Sequence, residues 1–79
     1  MSDDAASGGR IVKRSLSIAG HSTSISLESA FWSALKREAA TRGVSVAALV
    51  AEIDAGRRQA NLSSAIRVFL FEASQRAGS

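Results

Sequence analysis

The chain has 79 residues, with ten Lys or Arg, seven Asp or Glu, one His and no Cys, which gives a formal net charge of +3. A chain this short forms at most one small domain, and the lack of Cys excludes disulfides and Cys-based zinc sites. A single His cannot form a His-rich metal site, so oligomerisation is the remaining means of stabilising a small core. The positive charge suits a polyanionic partner.

The two ends of the chain are polar and lack periodicity. The first residues, Met-Ser-Asp-Asp, are acidic where a signal peptide is basic, and no apolar run approaches the ~18 residues that span a membrane. We therefore expect a soluble, cytoplasmic protein with no membrane partner. Residues 1–12 are predicted to be a flexible tail, residues 13–76 the folded domain and residues 77–79 a frayed C-terminus.

Two alternating segments predict a β-hairpin. Residues 14–18 and 22–27 alternate apolar or Thr residues with serines, as half-buried strands do. The residues between them, Ala19-Gly20-His21, predict a three-residue turn in which Gly20 takes a positive φ. In a regular hairpin the apolar residues share one face, which we expect to pack on helices. The opposite face then carries Ser15, Ser17, Ser22, Ser24 and Ser26.

The segment from Arg10 to Ser26 has three positive charges and no acid. The positive residues are Arg10, Lys13 and Arg14. They form either a solvated entry to the hairpin or an arm that contacts phosphates, where each cation would displace a condensed counterion.

Three helices are predicted after the hairpin. The first runs from about Glu28 to Arg42 and ends at Gly43, with Phe31, Leu35 and Ala39 as its buried stripe. The second follows the N-cap Ser45 and carries Val46, Leu49, Val50 and Ile53. The third begins near the N-cap Asn61 and continues to about Gln75. Because Val68 and Phe71 make it apolar almost all round, we expect it to be buried in a dimer or to dock another protein.

The strand at 22–27 needs a hydrogen-bonding partner for its backbone if it lies alone before the helices. A lone strand leaves unpaired backbone donors and acceptors. Its simplest partner is the same strand of a second chain, paired antiparallel about a two-fold axis.

The order of these elements resembles the ribbon-helix-helix DNA-binding proteins. The features that carry the resemblance are the strand at 22–27, the residues Phe31, Trp32 and Leu35, the turn at 42–45, and Leu49, Val50 and Ile53. The additional strand and third helix resemble one bacterial branch of that superfamily. The implied fold class is mainly α with a short antiparallel β-ribbon, in an intertwined homodimer.

The resemblance also implies roles for individual residues. Outward residues of the ribbon would enter the major groove, and the start of the second helix would clamp a phosphate. The candidate contacts with double-stranded DNA are Arg10, Lys13, Arg14, Ser22, Ser24, Ser26, Val44 and Ser45. The candidate dimer core is Ile25, Leu27, Phe31, Leu35, Leu49, Ile53, Ile66 and Phe69.

Catalysis is not expected, because the chain has one His, no Cys, no phosphate-binding glycine loop and no base beside its serines. No metal or cofactor site is predicted. The favoured function is a DNA-binding regulator or antitoxin-like repressor. The alternatives are a module that docks a protein partner through the third helix or the sheet, and an RNA-binding protein.

Overall fold

The computed structural model describes residues 9–58 and 61–77. It consists of a two-stranded antiparallel sheet followed by three helices, as predicted. The elements are β1 (Ile11–Ile18), β2 (His21–Glu28), α1 (Ser29–Arg42), α2 (Val46–Gly56) and α3 (Leu62–Ala77). Residues 1–8 of the predicted tail and residues 78 and 79 of the predicted frayed end lie outside the described residues.

The hairpin is longer and its turn tighter than predicted. β1 begins at Ile11, two residues before the predicted start of the domain at residue 13. Ile18 pairs with His21, which leaves a two-residue turn in place of the predicted three-residue one. Ala19 and Gly20 both have positive φ, 53° and 85°, as a type I′ turn requires because its twist matches that of the strands.

The register separates the hairpin into the two predicted faces. Residues directly opposite each other lie on the same face, so the pairing of Val12 with Leu27 and of Leu16 with Thr23 defines an inner face. Ile18, Ile25 and Leu27 of that face are buried against the helices. The predicted packing of the apolar face is therefore confirmed.

The helix ends follow from local chemistry. Gly43 closes α1 with φ 71°, and the Gly43 and Val44 amides donate to the Ala40 and Ala39 carbonyls, which is a Schellman motif. Ser45 caps α2, because its Oγ accepts from the Ala48 amide at 3.0 Å. Asn61 caps α3 in the same way, through Oδ1 and the Ser64 amide at 2.8 Å.

The buried stripe of α1 differs from the prediction by one residue. Trp32, Leu35 and Ala39 are the buried residues of this helix, whereas Phe31 is half-buried at the edge of the core. Trp32 is 3% exposed and donates from Nε1 to the Val12 carbonyl at 2.8 Å. The indole turns inward because it can satisfy its N–H on β1 while burying its rings.

The residues predicted as a dimer core are covered within the single chain. Six of them are buried there: Ile25, Leu27, Leu35, Leu49, Ile53 and Ile66. Phe31 and Phe69 are half-buried and pack against this cluster. The core of one chain thus lies between the inner face of the hairpin and the three helices.

Candidate nucleic-acid interface

The outer face of the hairpin is a surface of hydroxyl groups with one cation. The register places Lys13 opposite Ser26, Ser15 opposite Ser24 and Ser17 opposite Ser22. All of these residues are exposed except Ser26, which is half-buried. We call this group the serine face: Lys13, Ser15, Ser17, Ser22, Ser24 and Ser26. Its outward orientation confirms the predicted alternation.

Beyond the serine face, at one end of the outer side of the hairpin, Ile11 and Glu28 pair with each other across the strands. The Glu28 carboxylate accepts a hydrogen bond from Arg67 Nε at 2.9 Å. A bond from its own backbone amide, and then the Arg67 guanidinium, lower the pKa of Glu28. The only acid on this face is therefore ionised and neutralised by a cation of α3.

The predicted cations do not share one surface. Lys13 lies on the serine face, whereas Arg14 pairs with Ile25 and so lies on the inner side. The Arg14 guanidinium lies 5.5 Å from the centre of the Trp32 ring, in a cation–π contact. Arg10 precedes β1, is exposed, and extends the ladder by accepting the Ser29 amide through its carbonyl at 2.8 Å.

The start of α2 is a second surface that can bind an anion. Val44 and Ser45 are exposed, and the Ser45 hydroxyl satisfies the Ala48 amide only. The first amides of a helix lack intrahelical partners and carry the positive end of the helix dipole. A phosphate oxygen is a suitable ligand for such a group of donors.

The third helix presents an apolar groove together with α1. Phe71 is 63% exposed and Val68 is 38% exposed. With Phe31 and Ala34 of α1 they line an open groove whose polar contributors include Arg67 and Ser74. The apolar residues that widen α3 are thus at its surface in this chain and not in its core.

Sequence reasoning missed several residues that shape this interface. Ser15 and Ser17 were predicted to lie on the outer face but were not among the candidate DNA contacts. Arg67 was not identified because its partner Glu28 is 39 residues away in the sequence. The strand alternation could have indicated Ser15 and Ser17 as contacts. No local sequence pattern signals the pairing of Arg67 with Glu28.

No metal-binding cluster of three or more His, Cys, Asp or Glu occurs among the described residues. Within residues 9–58 and 61–77, no helix combines the length and the apolar character that crossing a bilayer requires.

Comparison with known proteins identifies the fold family. A family model described as a ribbon-helix-helix domain matches residues 11–74. A solved structure of an uncharacterized protein from Bordetella pertussis Tohama I is similar over 92% of this chain, with 30% identity and a TM-score of 0.73; the chain spans 64% of that protein. No protein in the curated set matches this chain. The match over residues 11–74 covers most of the chain, which therefore belongs to the ribbon-helix-helix family, a family of DNA-binding domains.

Proposed function

We propose that the protein is a homodimeric, cytoplasmic DNA-binding protein that acts as a small transcriptional regulator or antitoxin-like repressor, of bacterial type. The observation that carries this proposal is an exposed serine face with Lys13 on a ribbon-helix-helix chain. We propose no catalytic activity and no cofactor.

The proposed contacts divide into two kinds. Ser22, Ser24 and Ser26 would lie against base edges, where a hydroxyl can donate to or accept from any base. Arg10, Lys13 and the start of α2 at Val44 and Ser45 would contact phosphates and position the protein without selecting a sequence. We leave Arg14 out of the groove contacts because its guanidinium lies over Trp32 on the other face.

The charge distribution supports a polyanionic ligand. The segment from Arg10 to Ser26 has no acid, and Glu28 at the end of the face is paired with Arg67. A net charge of +3 per chain doubles in a dimer. Short hydroxyl side chains provide little discrimination between bases, so we expect weak sequence preference.

The salt dependence of duplex binding tests this function. Titration of a fluorescent mixed-sequence duplex should show log affinity falling linearly with log salt concentration, with a slope of about −0.9 for each neutralised phosphate. A duplex RNA of the same sequence distinguishes the RNA alternative. A flat salt response, or no duplex binding at low salt, contradicts the proposal. Sedimentation of the free protein tests the homodimer.

A second candidate function is supported by the exposure of Phe71 and Val68. In this alternative the groove between α1 and α3 docks a protein partner, and DNA binding has been lost. Phe71→Glu and Val68→Glu would then abolish co-purification with that partner while the oligomeric state is kept. If these changes only lower the thermal stability, the two residues stabilise the fold or the contact between two copies of the chain, and they do not form a docking site for another protein.

A further inference from the structure

We propose that the groove between α1 and α3 is a face on which a second copy of this chain docks, about a two-fold axis that brings the two Phe71 side chains together. This α1–α3 groove is lined by Ala30, Phe31 and Ala34 of α1 and by Arg67, Val68 and Phe71 of α3. It lies on helices, apart from the strands through which the family resemblance pairs two chains. The inference goes beyond the proposed homodimer, because it adds a separate contact between copies. It also assigns to a second copy the groove that the second candidate function would give to another protein.

The exposure of large apolar side chains is the first support. Four such side chains are exposed among the described residues, and two of them, Val68 and Phe71, lie one turn apart on α3. Phe71 is 63% exposed, the highest value of the four. Neighbouring apolar side chains at this spacing form a continuous patch on a helix, and such a patch marks an interaction site. We therefore expect another molecule to cover this face.

The rest of this sequence does not supply that cover. Residues 1–8, 59–60 and 78–79 lie outside the described residues, and their only large apolar side chain is that of Met1. The groove has a volume of about 530 Å³, which is far more than one methionine side chain fills. The cover must therefore come from a second molecule.

The charge of the groove favours a second copy over nucleic acid or an acidic partner. Arg67 is the one charged side chain among the described residues that line it. Its Nε already donates to the Glu28 carboxylate at 2.9 Å, and its guanidinium lies 5.9 Å from the centre of the Phe31 ring. The groove is thus close to neutral. Two copies with a net charge of +3 each repel one another least where they meet through such a face.

The shape of the groove suits a copy of itself. The small side chains of Ala30 and Ala34 lie one turn apart on α1 and leave a recess, beside which Phe71 projects from α3. A two-fold contact sets the projection of each copy against the recess of the other, so every interaction occurs twice. The two phenyl rings then meet near the axis, where an aromatic pair stabilises the contact beyond the area that it buries. A buried aromatic side chain at the centre of a contact is the usual anchor of an interface.

Sedimentation equilibrium of the full-length chain without DNA tests this contact through the charge at its centre. Phe71→Glu and Phe71→Lys each place two like charges face to face, so each variant alone should halve the mass of the species that the wild type forms. An equimolar mixture of the two variants places Glu opposite Lys and should restore the wild-type mass. The matched controls are Ser33→Glu and Ser33→Lys on the exposed side of α1, which should keep the wild-type mass both alone and mixed.

A milder change keeps the test valid if a charge at position 71 disturbs the helix. Phe71→Ala, with an intact fold verified by far-UV circular dichroism, should raise the dissociation constant of this contact by at least about tenfold. Association of the wild type should also persist as the NaCl concentration rises, because the burial of apolar surface is not screened by salt as charge interactions are.

The outcomes separate this inference from the proposed function. A wild-type mass in both charged variants, a mixture that stays at the reduced mass, or an unchanged dissociation constant in Phe71→Ala would overturn the contact. A wild type that sediments as a single chain would overturn it together with the proposed homodimer. DNA binding is measured separately by the salt titration of duplex affinity, so its success or failure leaves this result unchanged.

Discussion

Trp32 of α1 and Val12 of β1 are joined by a hydrogen bond of 2.8 Å from the indole Nε1 to the backbone carbonyl. The two residues are 20 positions apart, and the bond fixes the hairpin on the first helix. Because Arg14 lies over the same ring, the indole is in contact with β1 through both its edge and its face.

Trp32→Phe should lower the free energy of unfolding by about 1–3 kcal/mol. The change removes the donor to the Val12 carbonyl and leaves a cavity in the core. Urea unfolding followed by far-UV circular dichroism measures the effect, since Trp32 is the only Trp of the chain. Ser33→Ala, on the exposed side of the same helix, should stay within about 0.5 kcal/mol of the wild type. An equal loss in both variants would contradict this role.

Ala19→Asn should raise the free energy of unfolding by about 0.5–1 kcal/mol. Ala19 has φ 53°, which costs an L-residue with a Cβ about 1–2 kcal/mol, whereas Asn tolerates it. A second substitution in the same turn, Gly20→Ala, places a Cβ at φ 85° and should lower the free energy of unfolding by about 1 kcal/mol. Thermal unfolding of the two variants checks these opposite signs. A loss of stability in Ala19→Asn would exclude the type I′ assignment.

Glu28 should stabilise the fold at pH values above its ordinary pKa and should not stabilise it in acid. Its own amide and the Arg67 guanidinium lower the pKa of Glu28 below the usual 4.5, so folding favours the ionised form. The contribution is therefore present above pH 4.5 and is lost as the pH falls through the lower value of the folded state. Urea midpoints of the wild type and Glu28→Gln should differ at neutral pH and converge in acid. A constant difference across this pH range would contradict the ion pair.

Ser45→Asp should separate capping from phosphate binding at the start of α2. Asp caps a helix as well as Ser does, so the thermal stability should remain within about 0.5 kcal/mol of the wild type. Its carboxylate would occupy the free amides and repel a phosphate, and duplex affinity should fall by about tenfold. Asn61→Asp, which alters the cap of α3 in the same way, is the matched control and should bind normally. Equal binding by both variants would remove this helix start from the interface.

Local chemistry made most of the fold predictable. Strict alternation identified the serine face, and single residues with special roles, Gly43, Ser45 and Asn61, marked the helix ends correctly. Such features depend on neighbours within four residues, so a sequence pattern contains them.

Long-range contacts account for what the sequence did not reveal. The predicted buried face of α1 was wrong at Phe31. Trp32 is buried in its place because its indole donates a hydrogen bond to a carbonyl of β1, 20 residues earlier in the chain. β1 begins at Ile11, before the alternation of residues 14–18 starts, so a period of two could not locate its first residues. The bonds from Ser63 to Ser26 and from Arg67 to Glu28 span 37 and 39 residues, and hydrophobic periodicity has no means of encoding them.

The bond between Ser63 and the Ser26 carbonyl also bears on how the protein avoids misassembly. The ladder bond between Ser29 and Arg10 sets the alternation that points the backbone of Ser22, Ser24 and Ser26 away from β1. An open row of this kind recruits further strands and seeds fibrils. α3 occupies one carbonyl of this row and covers part of the edge, so a chain truncated before Leu62 should be more prone to aggregate even where its hairpin still forms.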